Sequence, residues 1–197
     1  MHPLILTSRI AAVFLNAAYM VWLFPEIIYS YTHRIEPSAT ANDHRSGAVL
    51  VICILIGIFM AYALAGVEIL FSIFWQPTIV FALGILLMVV GVTFRWYAIR
   101  VLGKYFTLRL AIQPGQTVVE DGPYRWIRHP SYTGSLITMF GLGLAFTNWL
   151  SLLAVLAAGF IGYSYRVMIE ERILVAALGD PYREYMKHTK RFIPFVY

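Results

Sequence analysis

Apolar residues in this chain gather into long runs, unlike the spaced stripe of a soluble helix or the alternation of a half-buried strand. Three runs, Leu4 to about Tyr29, Ala48 to Val67 and Pro77 to Phe94, have about the 20 residues that a helix needs to cross the hydrocarbon core of a bilayer. The first carries Pro25 and Glu26 near its far end, and the second carries no charge. The third opens on a proline suited to a first helical turn and is ended by Arg95. The short segment Ile69 to Trp75 either extends a neighbouring span or lies at the interface. Gly134 to Tyr165 is too long for one crossing and is interrupted at Thr147-Asn148, which predicts a tight hairpin of two helices of about 13–16 residues each. The pattern predicts an all-α integral membrane protein with about five transmembrane helices.

Composition agrees with that reading. Of 197 residues, 60% are hydrophobic and 13% charged, against about half and about a quarter in soluble domains. One membrane domain over residues 1–197 is expected, with three helices in 1–94 and a second half, 95–197, that holds the hairpin 134–165 and further helices. The N-terminus lacks the basic region, short apolar core and small-residue cleavage site of a signal peptide, so the first run is expected to remain as a transmembrane helix. The single Cys53 lies in an apolar run, which excludes an intrachain disulfide. Twelve of the fifteen Lys and Arg residues fall within 95–128 and 166–191. In a chain with several spans, topology and anionic lipid headgroups explain such clusters better than nucleic acid does. Five crossings put fourteen of the fifteen cations on one side, leaving only Arg9 near the other. The positive-inside bias makes that side cytoplasmic. The connector 95–133 and the segment 166–197 then share the cytoplasmic face, where a site would have to be built from both.

The candidate chemistry concentrates in those two pieces. Gln113-Pro114-Gly115-Gln116 is a turn signal, Thr117-Val118-Val119 a short extended stretch, and Glu120-Asp121-Gly122-Pro123 a second turn. Pro123 and Pro130 bias Gly122 and His129 away from helix. The run Gly122 to Gly134 therefore reads as a shaped loop, either a site or an interfacial connector with an aromatic belt. His129 has no partners at metal-ligand spacing and His188 is distant, so no metal is expected. On a helix continuing past Tyr165, Arg166 and Glu170 share one face and Glu171 points about 100° away. Such a pair is either an exposed ion pair at a helix end or an orienting device, since an arginine holds a carboxylate and a glutamate an ammonium group. Leu178-Gly179-Asp180-Pro181 reads as a helix stop followed by a new helix start. Tyr182, Tyr185 and Met186 would give that last helix an aromatic stripe. A transporter is disfavoured because the spans offer little polar lining beyond Asn16, Glu26 and Glu68.

The run G-P-Y-R-W-I-R-H-P-S-Y-T-G (122–134), the hairpin after it, then E-E-R-I-L-V-A-A-L-G-D-P-Y-R-E-Y (170–185) and R-F-I-P (191–194) resemble the isoprenylcysteine carboxyl methyltransferase family. The resemblance covers residues 95–197, whereas 1–94 match only as generic membrane helices. Leu178 departs from it, since a phenylalanine is expected before the glycine. The resemblance implies an integral membrane methyltransferase using S-adenosylmethionine, with S-adenosylhomocysteine as product. It implies a cofactor site made by Gln116, Thr117, Val118, Val119, Tyr124, His129, Pro130, Ser131, Tyr132 and Glu170, with Arg166 facing the methyl acceptor and Arg166 and Glu170 as the catalytic pair. The expected activity is methylation of the carboxylate of an isoprenylated cysteine at the cytoplasmic membrane face. Its expected partners are a lipid-modified or lipid-like substrate and membrane lipids. Alternatives are methylation of another lipid-like acceptor, such as a phospholipid amine or an isoprenoid, and an NADPH-dependent membrane reductase. No G-x-G-x-x-G motif occurs, so a Rossmann-type site is not expected.

Overall fold

The computed structural model describes residues 8–32, 40–43, 45–67, 71–73, 75–108 and 110–193. Six helices follow in order among them: α1 (Arg9–Thr32), α2 (Ser46–Val67), α3 (Pro77–Leu102), α4 (Pro130–Ala145), α5 (Trp149–Leu178) and α6 (Asp180–His188). Each expected apolar run is helical where described, while Leu4, residues 33–39 and Glu68 fall outside the described residues. Among the described residues, Ser46–Gly66, Pro77–Tyr105 and Trp149–Leu178 are long and apolar enough to cross a membrane, and Arg9–Phe24 is a shorter apolar stretch. The large exposed side chains of α1 and α2, including Val13, Phe14, Val51, Leu55 and Phe59, face outward, as lipid-facing surface does in a chain without an aqueous exterior along its spans.

Helix α3 packs along α4, α2 along α5, and α4 against α5. Small residues set the first of these contacts. A Cβ on Gly141 would stand 2.5 Å from the Gly84 carbonyl, and one on Gly91 would stand 2.6 Å from that of Gly134. The two backbones therefore touch, as they do where membrane helices associate through small residues. Leu15, Met88, Met139, Phe146, Val155 and Val167 fill the core between the helices.

The hairpin turn lies where expected. Thr147 adopts a left-handed φ of 51°, and the Asn148 side chain accepts from the Ser151 N–H at 3.0 Å to cap α5. Ser72 bridges to Asn148 and Ile73 N–H donates to the Thr147 carbonyl at 2.8 Å. Part of the 69–75 segment is thus bonded to the hairpin rather than to a span. The arms are unequal, however. Helix α4 has 16 residues, but α5 has 30 and runs unbroken past Tyr165.

Two other expectations are corrected. Helix α3 continues through Arg95 to Leu102, where Gly103 at φ 58° turns the chain. A charge was read as the end of a span, yet Arg95 folds inward. Thr117–Val119 forms no strand; the strands are instead β1 (Thr40–Asp43) and β2 (Leu110–Ile112), paired antiparallel. Edge groups need a partner strand to form a ladder, and Thr117–Val119 has none. The fold is helical apart from this two-stranded ribbon.

Candidate active site

The connector between α3 and α4 is tied to the C-terminal segment by backbone and buried charge. Arg128 N–H donates to the Lys190 carbonyl at 2.7 Å, His129 N–H to the Arg191 carbonyl at 3.1 Å, and Lys190 N–H to the Trp126 carbonyl at 3.2 Å. Beneath them Glu171 accepts from Arg128 Nε at 2.8 Å and from Arg191 Nη2 at 2.8 Å. His129 Nε2 lies 3.4 Å from the same carboxylate. Arg128 also donates to the Thr189 and Met186 carbonyls. It therefore holds the two segments together, where the sequence suggested topology or headgroup contact. Glu171 is the hub of this joint, a role that its position 100° from Arg166 and Glu170 left unassigned.

Above that joint a narrow polar cleft of about 90 Å³ opens between the connector and the helix ends. Its walls include Gln116, Thr117, Val118, Val119, Tyr124, His129, Ser131, Tyr132 and Glu170. Those are the expected cofactor residues with one exception. Pro130 is buried as the first residue of α4 and does not line the cleft. The turn at Gln113–Gln116 forms as expected, with Gly115 at φ 66° and its carbonyl accepting from Tyr105 Oη at 3.0 Å. Tyr182 and Tyr185 of α6 complete the far wall, and Tyr185 Oη donates to the Tyr124 carbonyl at 2.6 Å. Burial pushes the hydroxyls of Tyr124, Tyr182 and Tyr185 far above the ordinary range, so these rings stay neutral.

A second cavity, about 460 Å³, is mostly apolar. Tyr19 and Trp22 of α1, Leu50, Ile54 and Leu55 of α2, and Tyr163 of α5 line it. Two arginines face it, Arg166 from α5 and Arg95 from α3. Arg95 is 6% exposed, donates Nη1–H to the Ser131 carbonyl at 3.1 Å and lies 6.0 Å from the Phe106 ring centre. Sequence reasoning missed it as a site residue. The signal available was a cation within one helical turn of an apolar run, where ionisable groups are costly and often functional.

Tyr132 belongs to both cavities. Its hydroxyl accepts from Arg166 Nε at 2.9 Å and donates to Glu170 Oε2 at 2.8 Å. The expected i,i+4 pair thus meets through a phenol, with Glu170 facing the cleft and Arg166 the apolar cavity. His129 Nδ1 lies 3.8 Å from Glu170, and its ring stacks on that of Tyr132 at 5.6 Å.

Fold and site together define an integral membrane protein with a polar cleft and an apolar cavity that meet at one side chain. Residues 82–176 match the model of the isoprenylcysteine carboxyl methyltransferase (ICMT) family. A protein-S-isoprenylcysteine O-methyltransferase of Schizosaccharomyces pombe is 31% identical over 109 residues, covering 48% of this chain and 46% of the relative. A probable enzyme of the same name from Oryza sativa subsp. indica is 30% identical over 57% of this chain and 60% of its own. The A form from Arabidopsis thaliana is 32% identical over 57% and 58%. The matched region thus spans about half of each relative. The solved structure of a eukaryotic intramembrane Ras methyltransferase, isoprenylcysteine carboxyl methyltransferase, shares the fold at a TM-score of 0.57 and 21% identity, over 94% of this chain and 63% of that one.

Proposed function

We propose that this chain transfers a methyl group from S-adenosylmethionine to the carboxylate of an isoprenylated cysteine at the cytoplasmic membrane face. The observation that carries the reading is the Glu170–Tyr132–Arg166 chain joining a polar cleft to an apolar cavity. The family match and the names of the relatives support the reaction type.

The donor set of the cleft fits the cofactor. Glu170 suits its ammonium group, the connector backbone at Gln116–Val119 offers hydrogen-bonding edges, and the neutral Tyr124 ring offers a face for the base. When bound, S-adenosylmethionine supplies an electrophilic methyl group whose C–S bond breaks as a C–O bond forms, the electron pair staying on sulfur. The acceptor carboxylate is already ionised at neutral pH, so no general base is required. Arg166 and Arg95 hold it, and the surrounding apolar wall excludes water, so positioning and desolvation supply most of the rate. The isoprenoid tail occupies the cavity walled by α1 and α2, whose volume falls in the range of small-molecule sites. Two arginines in that cavity favour an anionic acceptor over a phospholipid amine.

The test is a methyl-transfer assay on the purified protein, with a small S-isoprenylated cysteine acid beside lipid amines and isoprenoid alcohols. Methyl ester formation on the cysteine acid is expected. Turnover confined to the amines, or saturable binding of NADPH with none of S-adenosylmethionine, overturns the reading.

A further inference from the structure

Arg166 is held on more than one edge of its guanidinium. It is 4% exposed, with Nε donating to Tyr132, Nη2 to the Leu108 carbonyl, and Nη1 to Ser46 Oγ at 3.2 Å. Tyr132 and Leu108 lie within the stretch matched to the family, 82–176, and Ser46 lies outside it. Ser46 is fully buried. The Asp43 carboxylate accepts from the Ser46 N–H at 3.0 Å and the Arg45 N–H at 2.9 Å. On the Nε edge the Tyr132 hydroxyl likewise accepts from the guanidinium, and it donates to Glu170. The next residue is fitted to the same group, because a Cβ on Gly47 would stand 3.2 Å from Arg166 Nη1.

We propose that Ser46, whose backbone N–H is held by Asp43, is a positioning residue that fixes the Nη1 edge of Arg166 for the acceptor, so that the first turn of α2 supplies a polar contact to a cavity for which α1 and α2 otherwise supply apolar walls. This rests on the assignment of Arg166 to the acceptor carboxylate. The arm has a structural alternative, since Asp43 also satisfies the first backbone N–H groups of α2. Ser46→Ala separates the two roles, because it removes the hydroxyl and leaves those backbone bonds in place.

The experiment uses the full chain in lipid nanodiscs with the small isoprenylated cysteine acid. S46A is expected to lower kcat/KM for the acceptor roughly tenfold, the size of a lost hydrogen bond to a charged group, with the dissociation constant of S-adenosylmethionine unchanged. Ser46→Thr, which restores the hydroxyl, is expected to recover most of the loss, and Asp43→Asn, which keeps an acceptor for the backbone, is expected to fall between. Acceptor kcat/KM in S46A equal to that of the unaltered chain overturns the proposal, as does equal loss of cofactor binding and turnover. A second measurement does not depend on any acceptor. The 15N resonances of the Arg166 guanidinium, assigned by their loss in Arg166→Lys, are expected to show hindered rotation in the native chain and averaging in S46A. Identical spectra overturn the positioning role. If no acceptor is methylated, the proposed reaction falls while these resonances still decide the role of Ser46.

Discussion

The phenol of Tyr132 makes the acid and the guanidinium on either side of it a single unit. Arg166→Ala is expected to abolish most turnover while cofactor binding, measured by calorimetry, is largely kept; parallel loss of both would show that the two roles are not divided. Glu170→Gln is expected to do the reverse, weakening the cofactor more than the acceptor. Glu171 acts differently. Removing it leaves Arg128 buried without its carboxylate, and a broken buried pair costs about 3–5 kcal/mol. Glu171→Ala is therefore expected to lower the melting temperature in detergent sharply, with any loss of activity following from unfolding. Asp43 adds a pH signature. Burial raises its pKa, but hydrogen bonds from Ser46 and the Arg45 and Ser46 backbone, with the Arg166 charge, outweigh burial and leave it below the ordinary carboxylate value. A depressed folded pKa contributes stability that is present above the unfolded value and lost as pH falls through the folded one. The stability gap between native protein and D43N is expected to close on acidification below the usual carboxylate range, as read by thermal melts across pH. Arg166 and Glu170 were legible because helical spacing fixes which residues share a face. Arg95 and Arg128 were misread because a sequence displays a charge without displaying which way it points.

Elements were legible to the extent that their cause is local. Long apolar runs make helices whatever surrounds them, and Asn148 caps α5 from within its own neighbourhood. The ribbon of β1 and β2 depends on a partner about 70 residues away in sequence, which local pattern does not reveal. Contact between α3 and α4 is set by Gly84 and Gly91 on one helix and Gly134 and Gly141 on the other, a seven-residue spacing of small residues that hydropathy does not register. Gly141→Leu would drive a side chain into the backbone of α3 at Gly84 and is expected to destabilise the hairpin, seen as lost folded yield. The cleft that the connector closes is smaller than typical ligand sites, and residues 116–120 have no regular secondary structure. Adding S-adenosylmethionine is expected to slow amide hydrogen exchange across 116–121 and to leave α3 unchanged; no change at the connector would remove it from the site.

At the scale of the molecule, hydropathy located every apolar run but not their lengths, because α5 keeps its helix well beyond its apolar part and carries Arg166, Glu170 and Glu171 on that extension. A solvent-exposed cysteine placed in the connector and another in α6 are expected to react with impermeant reagents from the same side of the membrane, which tests the shared face of the two segments. The apolar cavity and the polar cleft meeting at Tyr132 have a consequence for kinetics. The reactants proposed for them dissolve in different phases, so concentration means different things for each. Diluting the acceptor with inert lipid at constant bulk amount is expected to raise its apparent KM, because that substrate is counted per unit of surface. The same dilution is expected to leave the KM of the water-borne reactant untouched. One substrate that responds to added lipid beside one that does not would mark an enzyme whose bond-forming step takes place across a phase boundary one phenol thick.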